Sequence, residues 1–100
     1  MSFLLIKVGR SRENDVVLSD LSVSMEHLEI FVDVEGNAFL TDLNSENGTM
    51  VNGVKITDSI ELKPFDIVTL GKGIRFDWKK YIDQNRNNTI TVGRSESNQV

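Results

Sequence analysis

The chain has no cysteine among its 100 residues. That excludes disulfides, thiol nucleophiles and thiolate metal sites, and it is compatible with a reducing compartment. With a single histidine as well, a metal-ligand cluster is not expected. Basic excess is missing too. The formal net charge is −4, whereas broad binding to a phosphate backbone draws on clustered Lys and Arg. A nucleic-acid partner is therefore disfavoured, although a single phosphate needs only one or two well-placed donors. Long apolar runs are also lacking. Phe3-Leu4-Leu5-Ile6 has no basic residues before it and is too short for a signal-peptide core, and no stretch approaches the roughly 18 apolar residues of a membrane span. No membrane partner is expected, and the reading is of a cytoplasmic protein.

What is present is an ordinary globular composition, 39% hydrophobic and 26% charged, enough for one modest core. Apolar residues alternate in short runs punctuated by Gly, Asn, Asp and Ser, and no stretch keeps a helical period. The clearest period-two signal is Leu28, Ile30, Val32 and Val34. Asn52-Gly53, between Val51 and Val54, is the strongest two-residue hairpin signal, since both positions tolerate positive φ. The fold class expected is all-β, a sandwich or barrel, with a core drawn from Val8, Leu18, Leu28, Ile30, Phe39, Leu43, Val51, Ile67, Leu70 and Phe76. Residues 1–80 form the domain and 81–89, polar and asparagine-rich, read as a linker.

Residues 90–100 then repeat residues 6–16. ITVGRSESNQV matches IKVGRSRENDV at seven of eleven positions with a constant offset of 84 residues (93 − 9). One small-domain length between copies indicates a tandem array whose second copy begins at residue 90.

Three polar stretches carry the chemistry: Gly9-Arg10, Ser24-Met25-Glu26-His27 and Ser45-Glu46-Asn47-Gly48-Thr49. Arg10 offers a planar fork of donors and Ser24 a hydroxyl, a combination suited to an anion. Other readings stand beside this one. Arg10 suits a surface ion pair with Glu13 or Asp15, Asn47 suits a turn before Gly48, and Arg12 and Lys7 suit solvated surface positions. Ser24 and His27, with Asp20 or Asp42, have the residue types of a hydrolase triad, but no nucleophile elbow accompanies them. An enzyme is not expected.

The ordered set Gly9-Arg10, Asn14-Asp15-Val16-Val17-Leu18, Ser24-Met25-Glu26-His27, Leu43-Asn44-Ser45-Glu46-Asn47-Gly48-Thr49, Val51-Asn52-Gly53 and Phe65-Asp66-Ile67-Val68-Thr69-Leu70-Gly71 resembles the forkhead-associated domain over roughly residues 3–78. The resemblance implies a β-sandwich of two twisted, mainly antiparallel sheets with about ten to eleven short strands. It also implies a phosphothreonine-peptide-binding module of Ser/Thr-kinase signalling, whose partner is a kinase or its substrate, with no cofactor. On that resemblance Arg10 and Ser24 contact the phosphate and Asn47 holds the peptide backbone. Arg12, Met25 and Glu46 border the phosphopeptide, while Gly9, His27, Gly48, Asn52 and Gly53 structure the loops. Two positions depart from the family pattern: Met25 stands where a basic or polar residue is common, and Glu46 where a small hydroxyl residue is frequent. Those departures keep an alternative function open, a phosphate-independent structural or interaction module that keeps the fold, whereas Arg10, Ser24 and Asn47 favour the phosphopeptide reading.

Overall fold

A computed structural model describes residues 3–90, with side chains described through Gln84. Nine strands and one helix follow in order: β1 (Leu4–Gly9), β2 (Val16–Val17), β3 (Leu28–Val32), β4 (Ala38–Asp42), β5 (Thr49–Val51), β6 (Val54–Lys55), β7 (Ile60–Leu62), β8 (Val68–Leu70), β9 (Ile74–Phe76) and α1 (Trp78–Ile90). They build a five-stranded sheet in the order β2-β1-β3-β4-β7 and a four-stranded sheet in the order β6-β5-β8-β9. Among the described residues the β1–β2 pair is the parallel one, and the other pairs are antiparallel. The all-β sandwich expected from the sequence is the fold observed, with nine strands among the described residues.

Register explains which residues face inward. Ile6 pairs with Ile30 and Ile30 with Leu40, while Val8 pairs with Leu28, so β1, β3 and β4 present one continuous aliphatic row. Val51, Val68 and Phe76 form the matching row on the second sheet. These side chains are at most 5% exposed, and their burial is the main stabilising term of the sandwich.

Three expected core positions are placed differently. Phe39 pairs with Phe31 on the outer face of the sheet and is only half-buried. Ile67 is 44% exposed, with Val68 taking the inward position. Leu43 lies past the end of β4, half-buried. At Phe39-Leu40 and Ile67-Val68 two apolar residues stand side by side, so alternation alone does not set the phase, and a slip of one residue reverses the face. Val34 likewise falls beyond β3, in a turn where the Asp33 carboxylate accepts N–H groups from Glu35 and Asn37 at 3.0 and 2.9 Å.

The segment read as a linker from 81 to 89 is helical. Trp78, Tyr81 and Ile82 make an apolar i, i+3, i+4 stripe only one turn long, too short to register as a helical period. Trp78 and Ile82 are buried, Tyr81 stacks on Phe76 with centroids 5.3 Å apart, and the Trp78 indole N–H donates to the Asp66 carbonyl at 2.9 Å. The helix is thereby fastened to the β7–β8 turn. Positions 91–100 of the repeat lie outside the described residues.

Two adjacent substitutions separate the faces. Leu40→Ala, in the fully buried row, is expected to cost about 2–5 kcal/mol in denaturant unfolding. Phe39→Ala is expected to cost clearly less, and equal losses would contradict this register.

Candidate functional site

At one end of the sandwich the chain turns four times in close quarters: after β1, before β3, after β4 and after β8. Gly9 has no room for a side chain, because a Cβ there would collide with the Met25 carbonyl and come 2.7 Å from Asn14 Nδ2. This close approach lets the first two loops zip together. Arg10 N–H donates to Ser24 O at 2.9 Å, Ser11 N–H to Met25 O at 3.1 Å, and His27 N–H to Val8 O at 3.0 Å. The Asn14 amide adds bonds to Ser11 O at 3.0 Å and Met25 O at 2.7 Å.

His27 is wholly buried and joins the second loop to the third. Ser24 N–H donates to Nδ1 at 3.0 Å. Since Nδ1 must therefore accept, the ring hydrogen sits on Nε2, which donates to the Gly48 carbonyl at 2.9 Å. Gly71 N–H reaches the same carbonyl at 3.2 Å, bringing in the fourth turn. Gly48 itself adopts φ +89°, a conformation that favours glycine.

Asp42, at the end of β4, shapes the third loop. Its carboxylate accepts from the Ser45 N–H at 3.0 Å and from the hydroxyls of Ser45 at 2.6 Å and Thr49 at 2.7 Å. Ser45 Oγ in turn accepts from Gly48 N–H at 3.0 Å. Burial pushes the Asp42 carboxyl upward, but the hydrogen bonds from the Ser45 and Thr49 hydroxyls and the Ser45 amide outweigh it, and its pKa lies below the ordinary 3.8. Both ring nitrogens of His27 and both oxygens of Asp42 are committed to these loop bonds, and Asp20 is bound to Ser22. No Ser24–His27–Asp triad is assembled.

Arg10 and Ser24 come together on this braced corner. The Arg10 Nε–H donates to Val23 O at 3.0 Å, which orients the half-buried guanidinium. Among the described residues the recorded ion pair is Lys63–Glu61 at 3.4 Å, so Arg10 has no carboxylate partner there. Asp15, a candidate partner on sequence grounds, instead accepts from Lys7 N–H at 2.8 Å. Ser24 Oγ accepts from Glu46 N–H at 2.9 Å, which leaves its hydroxyl hydrogen to donate outward. Glu46 therefore serves the loop through its backbone, with its side chain exposed. Met25 likewise contributes its carbonyl while its side chain is 51% exposed. Arg12 is exposed on the first loop.

Asn47 donates Nδ2–H to Ser22 O at 2.9 Å. Its Oδ1 and second amide hydrogen have no partner among the described residues. Ser22 is a hub that sequence reading overlooked: its hydroxyl donates to Asp20 at 2.6 Å and accepts from Lys72 N–H at 3.0 Å. Asp20, Leu21, Ser22, Glu46, Asn47 and Lys72 border a shallow groove of about 460 Å³ beside this corner. The Asx-turn spacings Asp20-x-Ser22 and Asp42-x-x-Ser45 were the available signals for this bracing.

Asn52 and Gly53 are not part of this corner. They form the expected tight turn, with φ of 54° and 82°, at the other end of β5. Asn52 braces the β7–β8 turn, donating to Asp66 at 2.8 Å and accepting from Ile67 N–H at 2.9 Å.

Fold and site together define a β-sandwich interaction module with a donor-rich loop end. The family model for the FHA domain matches residues 6–71, and the chain belongs to that family, whose members are interaction modules rather than enzymes. A curated relative, the ABC transporter ATP-binding/permease protein Rv1747 of Mycobacterium tuberculosis, is 35% identical over 66 residues, which is 66% of this chain and 7% of that protein. Among solved structures, the FHA domain of Chlamydia trachomatis CT664 is 35% identical with a TM-score of 0.66, covering 68% of this chain and 69% of that one. The N-terminal FHA domain of S. cerevisiae Rad53p, solved in complex with a phosphothreonine peptide, is 31% identical with a TM-score of 0.64, covering 71% and 59%. The chain spans 7–18% of the length of the curated relatives it matches. Among the described residues no helix is long and apolar enough to cross a membrane.

The Asp42 pKa is lowered in the folded state, so its contribution is fully present above the unfolded value near 3.8 and is lost as pH falls through the folded value. Asp20, Asp33 and Asp66 shift in the same direction, through hydrogen bonds from Ser22, Asn37 and Lys63 respectively. For these carboxylates, thermal unfolding followed by Trp78 fluorescence is expected to show a loss of stability below about pH 4. Asp42→Asn should lower the midpoint at neutral pH and make the acid decline shallower; an unchanged decline would contradict the assignment.

Proposed function

We propose that this domain binds phosphothreonine-containing segments of a protein partner, a Ser/Thr kinase or one of its substrates, as a cytoplasmic signalling module. The observation that carries the reading is the Arg10 guanidinium, oriented by Val23 and without a carboxylate partner among the described residues, on the same corner as Ser24. A half-buried cation in an acidic chain is a place where a dianion gains more than it would at an exposed lysine. Arg10 supplies paired N–H donors to the phosphate and the Ser24 hydroxyl supplies a third. Asn47 Oδ1 and its remaining N–H are available to an extended peptide backbone, and Ser22 holds the amide in place. The complex of the related Rad53p domain with a phosphothreonine peptide supports the same chemistry here.

Glu46 and Met25 modulate this site rather than build it. An exposed carboxylate on the third loop favours peptides with a basic residue near the phosphate, because it repels acidic neighbours. Exposed Arg12 adds attraction from the first loop.

Charge-assisted bonds of this kind are worth about 1.5–3 kcal/mol. Arg10→Ala is therefore expected to weaken phosphothreonine-peptide binding by roughly ten- to a hundredfold in a calorimetric titration. The unmodified peptide should show no measurable heat, and a phosphoserine version should bind less tightly. Binding that ignores the phosphate or survives Arg10→Ala would replace this reading with a phosphate-independent interaction module.

A further inference from the structure

The strand order brings an exposed lysine against the third loop. In the four-stranded sheet β5 lies between β6 and β8, and the third loop enters β5 at Thr49. The loop therefore has β6 on one side and the β8–β9 turn on the other. On the β8 side it is tied down through backbone: Gly71 N–H donates to Gly48 O at 3.2 Å, and Ser22, which holds the Asn47 amide, accepts from Lys72 N–H at 3.0 Å. On the β6 side the neighbour is Lys55. The tight Asn52-Gly53 turn sets Lys55 opposite Met50, and cross-strand partners project from the same face of a sheet. Ile56 N–H donates to Thr49 O at 3.0 Å, which closes this hairpin against the loop. The Lys55 stem then lies over Gly48. A Cβ at Gly48 would come 2.9 Å from Lys55 Cε and 3.6 Å from both Cδ and Nζ. Lys55 thus covers the loop with its methylenes and keeps its ammonium in solvent. The side chain is exposed, and it has no carboxylate partner among the described residues, where the recorded ion pair is Lys63–Glu61. Lys72, on the other flank, shares its groove with Asp20.

We propose that Lys55 is a specificity-determining residue of the peptide site, pairing its ammonium with an acidic residue of the partner segment while its stem supports the outer side of the third loop. This rests on the reading of Arg10, Ser24 and Asn47 given above. The order of residues along the loop gives the peptide a polarity. Glu46 N–H is bonded to Ser24 Oγ, so Glu46 stands at the phosphate end. Asn47, the backbone clamp, comes next, and Gly48 with Lys55 over it comes last. An extended segment held by Arg10 and Asn47 therefore meets a carboxylate close to the phosphate and a free ammonium farther along. The preferred peptide is basic beside the phosphothreonine and acidic beyond the residue that Asn47 holds.

Calorimetric titration against phosphothreonine peptides in which a single glutamate is walked through the flanking positions of an alanine background tests this. One flanking position is expected to gain affinity from glutamate, by about two- to fivefold at low salt, the range of an exposed ion pair. The gain should shrink as salt is raised. Lys55→Met keeps a stem over Gly48 and removes the charge. It should abolish the gain without moving the thermal midpoint, which separates lost charge from lost support. Lys55→Glu should transfer the preference at that same position to lysine. Phosphate-dependent binding with no glutamate preference, a preference that survives Lys55→Met, or one removed by Lys72→Met instead, overturns the role of Lys55 and leaves the phosphate reading standing. Binding that ignores the phosphate overturns both.

Discussion

A neutral imidazole enclosed between two loops is the constraint on which the functional end depends. His27 accepts a backbone N–H from Ser24 on one nitrogen and gives its single hydrogen to the Gly48 carbonyl with the other. Either bond alone would fix a ring; together they fix the separation of two loops that are 21 residues apart in sequence. Because the ring is fully buried, losing either partner would leave a polar group unsatisfied in a site closed to water, at a cost of about 1–3 kcal/mol. Ser24 and Asn47 flank this link on opposite sides, so their spacing follows from it.

Around that link the site is built mainly from backbone atoms. Glu46 holds Ser24 Oγ through its amide, Met25 anchors the first loop through its carbonyl, and Gly9 permits the approach by having no side chain. Side chains at Met25 and Glu46 are consequently free to vary without dismantling the corner. Their departure from the family pattern bears little on whether the loops hold their shape. The Asp42–Ser45–Thr49 cluster gives the third loop the same independence, since its bonds close on themselves before reaching the solvent.

Much of the fold was legible because its signals are local. Alternation along Leu28, Ile30 and Val32 specifies a strand with one inward face, and Asn52-Gly53 specifies its turn through positive φ. The phase at Phe39-Leu40 and Ile67-Val68 was not legible, since two neighbouring apolar residues satisfy either face until a partner strand chooses one. The helix escaped for a related reason. Its apolar stripe is a single turn, and it persists because Trp78 finds the Asp66 carbonyl and Tyr81 finds Phe76, contacts that no window of sequence contains.

At the site the division is the same. Residue type and order singled out Arg10, Ser24, His27 and Asn47 for their donors and acceptors, because an arginine fork, a hydroxyl, an imidazole and an amide carry these wherever they are placed. The tertiary structure decided what each does there. It committed both His27 nitrogens to loop bonds, so the ring braces rather than catalyses, and turned half of the Asn47 amide inward onto Ser22. It also set the expected Asn52-Gly53 turn at the end of β5 away from this corner. Hydrogen-bonding capacity is a property of the residue, but which capacity remains open to a partner depends on what the fold has already satisfied.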